Sequence, residues 1–126
     1  MRFRLLPDSP VPIYEQIANQ VVFAVASGDL APGDRVPSVR DLAQQLIVNA
    51  NTVARAYQEL ERSGVTESRR GFAMTVAPGA AAVCRARRKE LVRGRVEEAV
   101  RVARAAGLTA DELHDLIGAE WAAAGA

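Results

Sequence analysis

Pro37 to Val76, PSVRDLAQQLIVNANTVARAYQELERSGVTESRRGFAMTV, reads as two capped helices, a tight turn and a basic hairpin within forty residues. Ser38 sits at an N-cap position with Asp41 three residues on, a form related to the capping box. Val39, Leu42, Ala43 and Leu46 then recur at helical spacing and make one buried stripe. Only Ile47 and Val48 separate this helix from a second one capped by Asn49, whose side-chain oxygen can accept from the free N–H groups of the next turn. That spacing is a helix-turn-helix connection and leaves no room for a loop.

Along the second helix Val53, Ala56, Tyr57 and Leu60 face inward, so Asn51, Ala54, Arg55 and Gln58 lie on a face that no core requires. Gly64 ends it. Val65 to Ser68 and Ala73 to Val76 are short strand candidates flanking Arg69-Arg70-Gly71, a hairpin or wing.

Working outward, Pro12 can open an earlier helix in which Ile13, Ile17, Val21, Ala24 and Val25 recur through Ser27, with Gly28 closing it. Ala31-Pro32-Gly33-Asp34 is a turn, after which Arg35-Val36 is a minimal strand candidate. Downstream, Ala77-Pro78-Gly79 is the strongest boundary in the chain. A long helical pattern runs from Ala80 to about Ala106, with Gly94 inside it as a candidate kink or close crossing, and Gly107 stops it. Thr109 with Glu112 forms a capping box for a last helix whose Leu113, Leu116, Ile117 and Trp121 share one stripe.

The expected fold is therefore mainly α: a winged helix-turn-helix of three helices plus a small β-hairpin wing, followed by two C-terminal dimerisation helices. The expected division is 1–78 and 79–126. Two helices cannot close a core alone, so Leu91, Val92, Val96, Val100, Leu113, Leu116, Ile117 and Trp121 are expected at an interface with the first domain, with a second copy, or with both.

Composition narrows the function. At 126 residues the chain is sized for one ordinary core, which excludes a large enzyme, and no paired carboxylates, nucleophile–base set or phosphate loop is present. No apolar run approaches a bilayer span, and Pro7 and Pro10 interrupt the N-terminus before a signal region could form, so a cytoplasmic protein is expected. The single cysteine, Cys84, excludes an internal disulfide and fits a packed thiol. His114 has no second ligand beside it, and no metal or cofactor is expected. The net charge of +1 is low for a nucleic-acid partner, so any DNA-binding charge must be placed rather than abundant. Arg69-Arg70 and Arg85 to Lys89 are the basic clusters, the latter read first as a solvated helix face.

At these residues the chain resembles the GntR family of bacterial winged-helix regulators, and most closely its YtrA-like subfamily. The resemblance rests on Pro12 to Ile17, Gly28-Asp29-Leu30, Pro32-Gly33-Asp34, Pro37 to Ala43, and Val48 to Tyr57 with Leu60-Glu61. Ala80 to Ala126 matches the short dimerising C-terminal portion of that subfamily, and has no room for the pyridoxal-phosphate domain of the related MocR-like proteins. Three positions depart from the pattern: Ile47 stands where glycine is common, Ala50 where proline is usual, and Gly71 to Thr75 replaces the usual wing ending.

The resemblance implies a homodimeric, sequence-specific DNA-binding regulator, a repressor acting on a palindromic double-stranded operator, with many relatives lying beside ABC-transporter genes. It implies DNA contacts by Arg40, by Asn49, Asn51 and Thr52 at the recognition-helix N-terminus, by Arg55 and Gln58 further along, and by Arg69, Arg70 and Gly71 in the wing. Asn51 is the foremost candidate for base readout. Simpler roles stand beside these: Asn49 as a cap alone, and Arg55 and Arg62 paired with Glu59 or Glu61. The alternative function is a winged-helix module that docks a protein through the same helix. The residues name no effector.

Overall fold

The structure, a computed structural model, describes residues 2–68 and 74–125. Its elements follow in the order α1 (Ile13–Ser27), α2 (Val39–Leu46), α3 (Ala50–Arg62), β1 (Thr66–Ser68), β2 (Met74–Val76), α4 (Ala80–Ala105) and α5 (Ala110–Ala124). Two compact units divide within α4, between Arg88 and Lys89, downstream of the Pro78-Gly79 turn. The first turns of α4 belong to the N-terminal unit because Ala80 and Cys84 are fully buried in its core.

That core is built by the stripes read from helical spacing. Ile17, Val21, Ala24 and Val25 of α1, Leu42 and Ala43 of α2, and Val53, Ala56, Tyr57 and Leu60 of α3 are all buried. Ile13, Val39 and Leu46 pack at its margin. The Tyr57 hydroxyl donates to the Pro37 carbonyl at 2.7 Å, fastening α3 to the residue that precedes α2. Burial pushes this phenol well above the ordinary tyrosine range. The Cys84 thiol is likewise raised by burial, with the Arg87 charge opposing.

Local chemistry sets the helix ends. Pro12 stands just outside α1 with extended ψ, so the helix begins one residue later than the proline reading. The Ser38 hydroxyl accepts from Asp41 N–H at 3.0 Å, and the Asn49 side-chain Oδ1 accepts from Asn51 N–H at 2.8 Å. Such caps are each worth about 0.5–2 kcal/mol. Ile47 closes α2 in the left-handed region, φ 55° and ψ 53°, and is the one non-glycine residue with positive φ among the described residues. An L-residue in that region costs roughly 1–2 kcal/mol, so the turn keeps its tight geometry and accepts strain where glycine would be free of it.

β1 and β2 pair antiparallel with Thr66 opposite Val76 and Ser68 opposite Met74. The Arg35-Val36 segment joins them: Arg35 bridges Thr75, Val36 N–H donates to Met74 O at 3.1 Å, and Val76 N–H donates to Asp34 O at 2.9 Å. The wing is thereby anchored to the segment that leads into α2. Residues 69–73, which hold the wing-tip candidates Arg69, Arg70 and Gly71, lie outside the described residues.

Two glutamines fix the N-terminal arm. Gln20 pairs with the Arg4 backbone through both amide atoms, each bond 2.7 Å, and buried Gln16 does the same with Leu6 while also donating to Val11 O at 2.9 Å. Each amide substitutes for the neighbouring strand that the arm lacks, and the arm buries Phe3.

In the C-terminal unit α4 runs unbroken through Gly94, where nothing lies within 4 Å of an added Cβ. No close crossing is made there among the described residues. Gly107 takes φ 79° at the turn, and Thr109 and Glu112 form the full capping box of α5. No α5 residue is buried. Ala103 is buried, Leu91, Leu108 and Leu113 are half-buried, and Val92, Val96, Val100, Val102, Leu116, Ile117 and Trp121 are exposed.

Candidate DNA-binding surface

Asn51, Arg55 and Gln58 fall at i, i+4 and i+7 of α3, so the helix aligns them on one face, and all three are exposed. The buried stripe of Val53, Ala56, Tyr57 and Leu60 occupies the other face, which fixes the helix roll. Asn49 caps the helix and remains exposed, and Thr52 is half-buried in the first turn. Here the helix dipole favours a phosphate, while the Asn51, Thr52 and Val53 N–H groups already donate to Asn49. Arg40, second residue of α2, is exposed one helix away.

Charge on this surface is placed rather than abundant. Glu59 pairs with Arg62 at 2.9 Å, so the simple ion-pair reading holds for Arg62. It does not hold for Arg55. The Arg55 guanidinium lies over the Tyr14 ring of α1, 3.9 Å from its centroid, and neither Arg40 nor Arg55 is ion-paired among the described residues. A stacked guanidinium offers its in-plane N–H groups edge-on while its flat face is occupied, an arrangement suited to phosphate or guanine. In the sequence the only sign of this role for Tyr14 is an aromatic in the first turn of α1, and linking that ring to Arg55 requires the packing of α1 on α3.

No group of three or more His, Cys, Asp or Glu side chains that could hold a metal ion occurs among the described residues, and His114 is an exposed residue of α5. No helix among them is long and apolar enough to cross a membrane.

The profile described as "Bacterial regulatory proteins, gntR family" matches residues 13–76, from the start of α1 through β2. The chain belongs to the GntR family. It is 37% identical over 111 residues to the HTH-type transcriptional repressor YtrA of Bacillus subtilis (strain 168), covering 88% of this chain and 85% of that one. Among solved structures it is similar to a protein described as a transcriptional antiterminator from Listeria monocytogenes EGD-e, with TM-score 0.73 and 30% identity over 95% of this chain and 90% of that one. It is also similar to the AraR DNA-binding domain in complex with operator ORE1, with TM-score 0.51 and 25% identity over 61% of this chain and 94% of that one. As a YtrA-like GntR protein, the chain is a DNA-binding transcription regulator rather than an enzyme.

Proposed function

We propose that this protein is a cytoplasmic homodimeric repressor that binds a palindromic operator, one α3 from each copy entering successive major grooves about 34 Å apart. The observation that carries the reading is the exposed α3 face: a capped N-terminus, Asn51 and Gln58 in line, and Arg55 stacked but not ion-paired. Asn51 reads a base edge, Asn49 and Thr52 hold a phosphate at the helix N-terminus, and Arg55 and Gln58 reach bases or backbone a turn or two further on. Arg40 contacts guanine or phosphate from α2, and Arg69, Arg70 and Gly71 approach the minor groove. None of the large exposed apolar residues comes from α3, which argues against a protein-docking role for that face.

Residues 1–78 serve as the DNA-binding domain and 79–126 as the dimerisation region. The second copy covers apolar residues of α4 and α5: Leu91, Val92, Val96 and Val100, with Leu113, Leu116, Ile117 and Trp121. Trp121 is 81% exposed in the single chain, a large apolar area to leave in water. Repression follows from occluding polymerase, and an ABC-transporter operon is the proposed target. Footprinting on the DNA upstream of the protein's own gene tests this, with protection of an inverted repeat expected. Uniform protection, or none, at physiological salt contradicts it.

A further inference from the structure

Folding accounts for the backbone at position 47 but not for an isoleucine there. Its backbone is left-handed, which closes α2 by directing Ile47 N–H to Gln44 O and, after the reversal, Val48 N–H to Ala43 O at 3.1 Å. The turn needs that conformation, and a β-branched residue is among the least suited to adopt it. Nor does the side chain gain anything from the core, because it is 91% exposed, the most exposed of the large apolar residues among those described. A strained backbone carrying an aliphatic group into water gives the isolated chain nothing in return. What distinguishes the position is its place, two residues before Asn49, at the N-terminus of the helix whose face carries Asn51 and Arg55.

We propose that Ile47 is an apolar DNA-contact residue, packing its branched side chain on the hydrocarbon surface of the duplex at the groove edge beside α3. This rests on the DNA-binding reading above. Two apolar DNA groups fit an aliphatic side chain there, the thymine C5-methyl and the deoxyribose face. Either one removes the exposed Ile47 surface from water in the complex, and the polar groups of Asn49 and Asn51 fix the register at which it lands.

The test separates backbone strain from contact, since the two respond oppositely to glycine. A duplex is enriched from random DNA by the full-length wild-type protein. Thermal unfolding and binding to that duplex are then measured for wild type, Ile47→Gly and Ile47→Asn. Both variants accept positive φ and lack the aliphatic group. The expected result is a melting midpoint raised by roughly 2–5 °C together with binding weakened about tenfold. Replacing thymines by deoxyuridine assigns the contact: weakening of wild-type but not Ile47→Gly binding identifies the methyl, and no change in either identifies the deoxyribose. Variants that melt higher and bind as well as wild type, or better, overturn the inference while leaving the DNA-binding reading intact. Failure of wild type to enrich any sequence overturns sequence-specific recognition and this inference with it.

Discussion

The guanidinium of Arg55 lies over the ring of Tyr14, 3.9 Å from its centroid, joining α3 to α1 at the margin of the core. At an exposed site such a stack is worth about 0.5–1 kcal/mol, and it also limits the rotamers of a long side chain before DNA arrives. Tyr14→Leu is expected to weaken operator binding by roughly 2–5-fold with the salt dependence unchanged, because the charge remains. Tyr14→Phe keeps the ring and is expected to bind as wild type. Arg55→Ala, by contrast, is expected to lower the slope of log affinity against log salt by about one if the guanidinium meets a phosphate. Titrations at several salt concentrations distinguish the two.

Tyr57 links stability to alkaline pH. Its folded pKa is raised by burial above the unfolded value of about 10, so its contribution is complete below pH 10 and is lost as pH rises toward the folded pKa. Urea unfolding is expected to show roughly 1.4 kcal/mol of loss at pH 11 relative to pH 9 that is absent in Tyr57→Phe. At pH 7 that variant is expected to cost about 1 kcal/mol, because the Pro37 carbonyl loses its 2.7 Å donor. Equal pH slopes in both proteins contradict this.

Thr66 buries a hydroxyl that has no hydrogen-bond partner among the described residues, at the start of β1 opposite Val76. Valine has nearly the same shape and no polar atom. Thr66→Val is therefore expected to stabilise the fold by about 1 kcal/mol in chemical denaturation. A loss of stability of that size would show that the hydroxyl is satisfied in solution.

Much of the architecture is legible in the sequence because it depends on neighbours a few residues apart. The caps at Ser38, Asn49 and Thr109 and the buried stripes of α1 to α3 are all set within one or two turns. The tight connection at Ile47 also followed from spacing, and the structure decided only how strain is taken up there. Contacts across the fold were not readable. Gln16 and Gln20 reach backbone 10 and 16 residues away, and Tyr14 meets Arg55 only because α1 packs on α3. Gly94 marks no close crossing among the described residues: α4 continues through it in a helix of 26 residues, with nothing within 4 Å of an added Cβ.

Dimerisation through the C-terminal unit predicts a mass near twice 13.5 kDa by light scattering. Val96 is 47% exposed in the single chain, so Val96→Glu is tolerated in a monomer but places a charge in the proposed interface. The variant is expected to elute as a monomer with the N-terminal unit folded and to bind the operator at least tenfold more weakly, because two linked half-sites become one. A dimeric Val96→Glu protein would remove Val96 from the interface.

The most direct test of sequence reading by α3 is the ratio of affinities for an enriched operator and a random duplex at physiological salt, measured for wild type and Asn51→Ala alongside circular dichroism. The expected wild-type ratio is on the order of 10³ or more, falling at least tenfold in Asn51→Ala with an unchanged melting curve. Equal affinities of the wild-type protein for the two duplexes would contradict the account.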